Sequence, residues 1–265
     1  MQMKYICIAL TLFTLSAKAQ IDIASRFSGM AYTGAALQDV WSIQQNQAGL
    51  CGIKKPTFSM GYAPKFLDND LRTQAFVFAF PYRDQVFGLS LQRYGIDAYN
   101  EHKVGLAYAR HFGDLFVAVH GNYHQLSIQH YGSAKSLSIE TGFQYQVNQA
   151  LCLGIHIANP SQNAYGTNQI AYIPTRTQVG GSFKFSNELL FAVSVEKAIR
   201  YPIDIRSGLE YKPIPSIALR GGMSLKPLKQ YVGIGIHSGR FRFDLASSSH
   251  STLGYAPQLA VSYEL

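Results

Sequence analysis

The sequence predicts an all-β chain: a closed antiparallel transmembrane β-barrel of about fourteen strands, preceded by a short, partly helical segment. Three observations carry this. From residue 56 onward, large apolar residues alternate with small or polar ones at a period of two, the signature of strands with two unlike faces. The alternating stretches form an even set, mostly roughly 8–13 residues long, and a tilted membrane-crossing strand needs about 9–11. Only 14% of the 265 residues are charged, against about 25% in an ordinary soluble domain.

The same composition excludes several classes. With 47% hydrophobic and 13% aromatic residues, the chain is no disordered polymer. It is too rich in Gly, Tyr and Phe for a helical bundle, and too poor in charge to cover a soluble α/β enzyme. Beyond residue 20 there is no run of about 18 apolar residues. A membrane-spanning mature chain must therefore close into a barrel, because only helices and barrels satisfy their backbone hydrogen bonds in lipid.

Residues 1–19 read as a secretory signal peptide. Lys4 supplies the positive start, residues 5–15 the apolar core, and Ala17-Lys18-Ala19 a small-x-small cleavage site. The apolar run is about half the length of a membrane-spanning helix, and Cys7 has no lipobox around it. Cleavage after Ala19 removes two of the 23 basic residues and none of the 15 acidic ones, leaving a mature charge of +6. The basic residues are scattered and the chain is exported, so nucleic acid is not an expected partner. Anionic lipid or lipopolysaccharide of the outer membrane is the more natural counterpart. Of the two mature cysteines, Cys51 and Cys152, neither has metal-ligand spacing. Two buried thiols or a disulfide in an oxidising compartment both fit.

Residues 20–55 do not alternate. Stretches 24–29 and 34–43 suggest short helical pieces and turns. Within them, Met30, Leu37, Val40, Trp41, Ile43 and Leu50 can pack against a lumen wall, while Asn46 with Ala48-Gly49 suits a tight turn. This segment reads as a plug or gate, or as a lid that simply fills the base of the barrel.

The barrel follows, over 56–265. Strands are expected near 57–64, 71–81, 85–94, 102–112, 114–126, 134–147, 150–158, 174–185, 187–197, 202–212, 215–224, 229–238, 240–247 and 256–265, with ends uncertain by a few residues. Ile139, Leu153, Val193 and Ile234 should face lipid, and Ser138 and Ser194 the lumen. Longer connections (65–70, 95–100, 127–132, 160–174, 198–201, 225–227, 248–254) alternate with shorter ones, as outer loops alternate with periplasmic turns. A soluble β-sandwich also alternates, but its second face would carry more Lys, Glu, Asp and Thr than the Ser, Gly, Gln and Ala found here. Tyr62, Phe80, Tyr82, Tyr94, Phe112, Phe185, Tyr201, Tyr211 and Tyr263 sit near strand ends, where interfacial girdles form.

The N-terminal residues carry a resemblance. Gly29-Met30-Ala31-Tyr32-Thr33-Gly34-Ala35, then Asp39-Val40-Trp41-Ser42-Ile43 and Gln45-Asn46-Gln47-Ala48-Gly49-Leu50, resemble the N-terminal signature of the FadL-like outer-membrane barrel superfamily. The likeness is nearest to the PorV/PorQ-type branch associated with the type IX secretion system. It covers about 30 residues and is moderately specific. Gln47 stands where Pro is usual, and Gln38-Asp39 replaces a paired acid. The resemblance implies a fourteen-stranded barrel that passes small hydrophobic molecules, or an accessory role beside secretion-system components. The chain has little room for the large outer loops of fatty-acid channels.

Charged residues expected in the lumen are Lys103, His120, His124, Glu140, His156, Lys184, Asp204, Arg206, Glu210, Arg220, His237, Arg242, Asp244 and Glu264. Among them Asp204, Arg206, Arg220, Arg242 and Asp244 lie on nearby strands and are expected to form a mixed-charge network. It either neutralises itself in a wet interior or filters solutes. His120 and His124, four apart on a strand, stand about 13 Å apart, too far for one metal. No phosphate loop, zinc spacing or Ser–His pair facing lipid is present. No enzyme, metal or cofactor is expected.

Overall fold

The computed structural model describes residues 23–65, 68–166, 171–250 and 254–265. The expected signal peptide lies outside them. Fourteen strands close into one antiparallel barrel. They are β1 (Thr57–Lys65), β2 (Asp68–Tyr82), β3 (Gln85–Gly95), β4 (Tyr99–Phe112), β5 (Leu115–Ile128), β6 (Gly132–Gln146), β7 (Leu151–Ala158), β10 (Arg176–Lys184), β11 (Leu189–Ala198), β12 (Asp204–Ile214), β13 (Ile217–Leu225), β14 (Leu228–Ser238), β15 (Phe241–His250) and β16 (Gly254–Glu264). Two short strands, β8 (Ala164–Tyr165) and β9 (Ala171–Tyr172), form a hairpin of their own. Each barrel strand pairs with its neighbour along the chain. β1 closes the ring on β16, with Thr57 opposite Glu264 and Tyr62 opposite Leu259. No strand edge is left open, which lipid requires. The structure is a single closed sheet and not the two stacked sheets of a sandwich.

Every expected strand forms, with ends within three residues of the expected bounds. The expected contrast between long and short connections does not hold. Ladder hydrogen bonds continue through polar stretches such as Asn100 opposite Ser127 and Ser127 opposite Ser133, because backbone pairing is indifferent to side-chain polarity. Only the connection from Ala158 to Arg176 stays long. It carries the β8–β9 hairpin, whose Tyr165 packs with Ile173 against Leu126 at the loop end of β5.

The alternation sorts as expected. Ile139, Leu153, Val193 and Ile234 are exposed on the outside, while Ser138 and Ser194 are buried inside. Large apolar residues face outward along the middle of every strand, the surface a lipid environment requires. Phe80, Tyr82, Phe112, Phe185 and Tyr211 lie exposed towards one end of the barrel, the turn end, where residues 83–84, 113–114, 185–188 and 215–216 connect strands; the end that carries the β8–β9 hairpin is the loop end. Tyr94 departs from the expected girdle. It shares the face of Ser90 and Gln92 and is buried in the interior.

The 23–53 segment lies inside the barrel. It contains a helical turn, α1 (Ser25–Ser28), and three 3-10 turns, Gly34–Ala36, Val40–Gln44 and Gln47–Gly52. Asp39 caps the second of these: its carboxylate accepts from Trp41 N, and its own N–H donates to Ser42 Oγ, both at 3.0 Å. Asn46 caps the third 3-10 turn, accepting from Ala48 N, so the tight turn expected at Asn46 and Ala48-Gly49 forms ahead of β1.

Room for the segment comes from small residues on the inner wall. Gly208 lies against Met30, Gly154 against Ala35, Gly61 against Ile23 and Trp41, and Gly88 against Ile43 and Leu50. At Gly233 the wall backbone meets the Gly29 Cα, and a Cβ added there would stand 3.1 Å from it. Wall and segment are therefore in close contact at this level.

Candidate functional site: the occluded lumen

All seven residues expected to plug the barrel, Met30, Leu37, Val40, Trp41, Ile43, Asn46 and Leu50, are buried against the wall. All but Asn46 belong to one apolar cluster, on one side of the segment. The apolar side sets Trp41, Ile43 and Leu50 in one cluster with Ala75, Val77 and Ala79 of β2, Val86 of β3 and Ala107 and Ala109 of β4. The other side is ionic.

There, six residues form a closed ring of alternating charge. Arg26 from α1 binds Glu210 on β12 through two hydrogen bonds of 2.9 Å, and reaches Asp39 at 3.2 Å. Asp39 also receives both terminal nitrogens of Arg242 on β15, at 2.8 and 2.9 Å. Arg242 Nε donates to Asp244 at 2.9 Å. Asp244 accepts from Arg220 on β13 at 2.6 Å, and Arg220 returns to Glu210 at 2.7 Å. Three arginines thus face three carboxylates, and the segment supplies one of each. Burial would raise the Asp39 pKa, but the Arg242 and Arg26 guanidinium groups outweigh it and hold the carboxyl at about 2. Burial likewise opposes the Arg26 charge, and Glu210 and Asp39 more than restore it.

The charge network expected from the sequence is thus two networks. Arg220, Arg242 and Asp244 belong to the ring. Asp204 and Arg206 do not: Arg206 pairs with Asp204 and with Glu196 on β11, both at 2.8 Å. Asp204 in addition accepts from Leu225 N and Lys226 N at the β13–β14 turn. β12 separates them: its loop end carries Asp204 and Arg206, and Glu210 lies further along, towards the turn end. Lys184 and Glu264 are not luminal. Both lie exposed at the turn end, where Glu264 meets Lys55 at 3.8 Å.

A second polar anchor lies on β4 to β7. Glu140 accepts from Lys103 at 2.9 Å, from Asn122 at 3.0 Å and from Gln47 of the segment at 2.8 Å, with His156 at 3.1 Å. Asn46 Nδ2 also donates to the Phe143 and Ile155 carbonyl oxygens, at 3.0 and 3.3 Å. His124 contacts Ser138 at 2.8 Å, away from Glu140. Among the described residues no group of His, Cys, Asp and Glu is arranged to hold a metal ion. Cys51 and Cys152 are separate buried thiols, and burial pushes the Cys51 pKa up to about 11.

The interface is not fully satisfied. Ser25 Oγ, Ser28 Oγ, Trp41 Nε1, Gln44 Oε1 and Gln47 Oε1 are buried with no hydrogen-bond partner among the described residues. Sequence reasoning missed Arg26 and Asp39 as wall contacts. Their only local signal was the Asp39-x-x-Ser42 cap, which speaks of a helical turn and not of wall partners 184 and 203 residues away.

No family model matches the chain, and no curated protein is similar to it in sequence. Solved structures are. A deletion mutant of the monoaromatic hydrocarbon channel TodX superposes with a TM-score of 0.74 at 12% identity, over 91% of this chain and 98% of that one. The toluene transporter TbuX of Ralstonia pickettii gives 0.70 at 14%, over 93% and 99%. A FadL homologue of Pseudomonas aeruginosa gives 0.66 at 12%, over 91% and 98%. The chain has the FadL-type barrel fold. In this FadL-type barrel the 23–53 segment sits within the wall, and the ionic ring and the Glu140 anchor are its two polar attachments.

Proposed function

We propose that this chain is an integral outer-membrane barrel that admits small apolar molecules, exported through a signal peptide cleaved after Ala19. Residues 20–55 act as its plug and 56–265 as its wall. The observation that carries the reading is the composition of the ring. Arg220 and Arg242 already balance Glu210 and Asp244 on the wall, so withdrawing Arg26 and Asp39 together leaves no net charge behind. Withdrawing the segment strands no charge on the wall, and the unpartnered polar atoms of the segment gain water on release. A plug held this way is latched in register by its two charges and can leave as a neutral unit. The substrate class follows the relatives: toluene and monoaromatic hydrocarbons are what TbuX and TodX are named for. No catalytic step enters this reading.

A second reading is an accessory of type IX protein secretion, of the PorV/PorQ type, with secretion-system components as partners and the lumen permanently sealed. The burial of nearly every residue from Ile23 to Cys51 favours it. A deletion strain scored for both toluene uptake and cargo secretion separates the two. Loss of uptake alone supports the channel, and loss of secretion alone supports the accessory.

A further inference from the structure

The outer wall is not uniformly apolar. Across five adjacent strands, β2 to β6, one row of cross-strand partners reads Gln74, Arg93, His102, Gln125 and Lys135. All five face outward, at the loop end. At about 4.8 Å per strand the row is about 19 Å wide. Arg72, exposed on β2 one outward position nearer the loop end, extends it. Comparable positions elsewhere carry Ile157, Ile205, Leu225 and Leu228. Thr177 and Gln230 there are polar but uncharged, and the cation among these outward positions of the described residues, Lys197 on β11, donates to the Tyr201 carbonyl of its own loop at 2.8 Å. Positive charge on the lipid face is thus gathered on one side.

Below this row the wall is concave. A groove of about 640 Å³ opens outward, with Met60, Phe76 and Leu91 among its apolar lining and Gln74, Arg93 and His102 on its polar side. The acid paired to the row among the described residues is Asp97, 3.6 Å from Arg93 and fully exposed, a contact worth little.

We infer that this face seats a phosphate-bearing, multiply acylated lipid of the surrounding leaflet, its phosphates on Arg93, Lys135 and Arg72 and an acyl chain in the groove. Charge complementarity selects the headgroup: guanidinium and ammonium groups along one line meet more than one phosphate. The apolar groove directly below selects a ligand that is anionic at one end and hydrocarbon at the other. The seat is on the outside of the barrel, so it stands whether or not the lumen conducts.

The test uses the full-length protein in detergent, with native mass spectrometry of bound lipid. The probes are a diphosphorylated, acylated glucosamine disaccharide and the same lipid with its phosphates removed. Wild type should bind the phosphorylated lipid about tenfold more tightly. The Arg93→Gln/Lys135→Gln double variant should lose that preference, and Lys197→Gln should keep it. Equal affinity for the two lipids, an unchanged double variant, or equal loss in Lys197→Gln overturns the proposal. Should the double variant fail to assemble, the comparison of the two lipids on wild type still decides.

Discussion

Arg26, inside the barrel, and Glu210, on its wall, meet in a two-pronged ion pair: Nε to Oε2 and Nη2 to Oε1, both at 2.9 Å. They are 184 residues apart in sequence. Glu210 also holds Arg220, so it joins the segment to the wall's own charge balance. Glu210→Gln would leave two buried guanidinium groups short of a carboxylate, at a cost of about 3 kcal/mol. Trp41 is the single tryptophan of the chain and is wholly buried in the segment, so its emission reports release. Red-shifted emission at lower denaturant in Glu210→Gln, with gel mobility of the unboiled barrel unchanged, is the expected result.

Gln47 provides the contrast. Its amide is one of several donors to Glu140, which keeps Lys103 and Asn122 when Gln47 is lost. Gln47→Ala should cost about 1 kcal/mol, read in the same denaturation experiment. A loss as large as that of Glu210→Gln would mean that the Glu140 anchor, and not the ring, dominates attachment.

The ring also sets a pH response. The Asp39 carboxyl is held at about 2, below its ordinary 3.8. A depressed carboxyl stabilises the folded form fully above its unfolded value and loses that contribution as pH falls through the folded one. The segment should therefore be held at full strength above about pH 4 and lose about 2 kcal/mol between there and about pH 2. Trp41 emission against pH checks this, and Asp39→Asn should flatten that part of the curve.

Register on the outer face makes a further prediction. Arg at Ile139 or Leu153 places a charge in lipid and should cost about 2–4 kcal/mol near the midplane. Ser138→Ala, on the opposite face, removes only the contact to His124 and should leave assembly unchanged. Yields of heat-modifiable barrel compare them. Arg at Ser138 is no mild control, because the lumen there is packed with Glu140, Lys103 and His124 and has no space for the side chain.

Much of the wall was readable because a period of two is a local property. Leu151 to Ile157 alternates in sequence, and the same residues alternate between lipid and lumen in space. The small inward residues were readable as lumen lining, but their reason was not: Gly154 and Gly208 are small because Ala35 and Met30 press on them. The β8–β9 hairpin escaped because each strand has only two residues. The ring escaped because charge partners are set by closure of the barrel. Nothing near Arg26 in the chain points to Glu210, and nothing near Asp204 separates it from Asp244.

Conductance across planar bilayers tests the central claim most directly, that the lumen is closed by a segment latched through Arg26 and Asp39. Wild type should be closed. Trp41→Ala should loosen apolar packing by about 3–5 kcal/mol yet stay closed, because the ring persists. Arg26→Ala with Asp39→Ala removes both charges the segment contributes and leaves the wall neutral, so the barrel should survive and conduct. A double variant that stays closed while its Trp41 emission shows the segment released would contradict the account, as would a Trp41→Ala barrel that opens as far as the double variant.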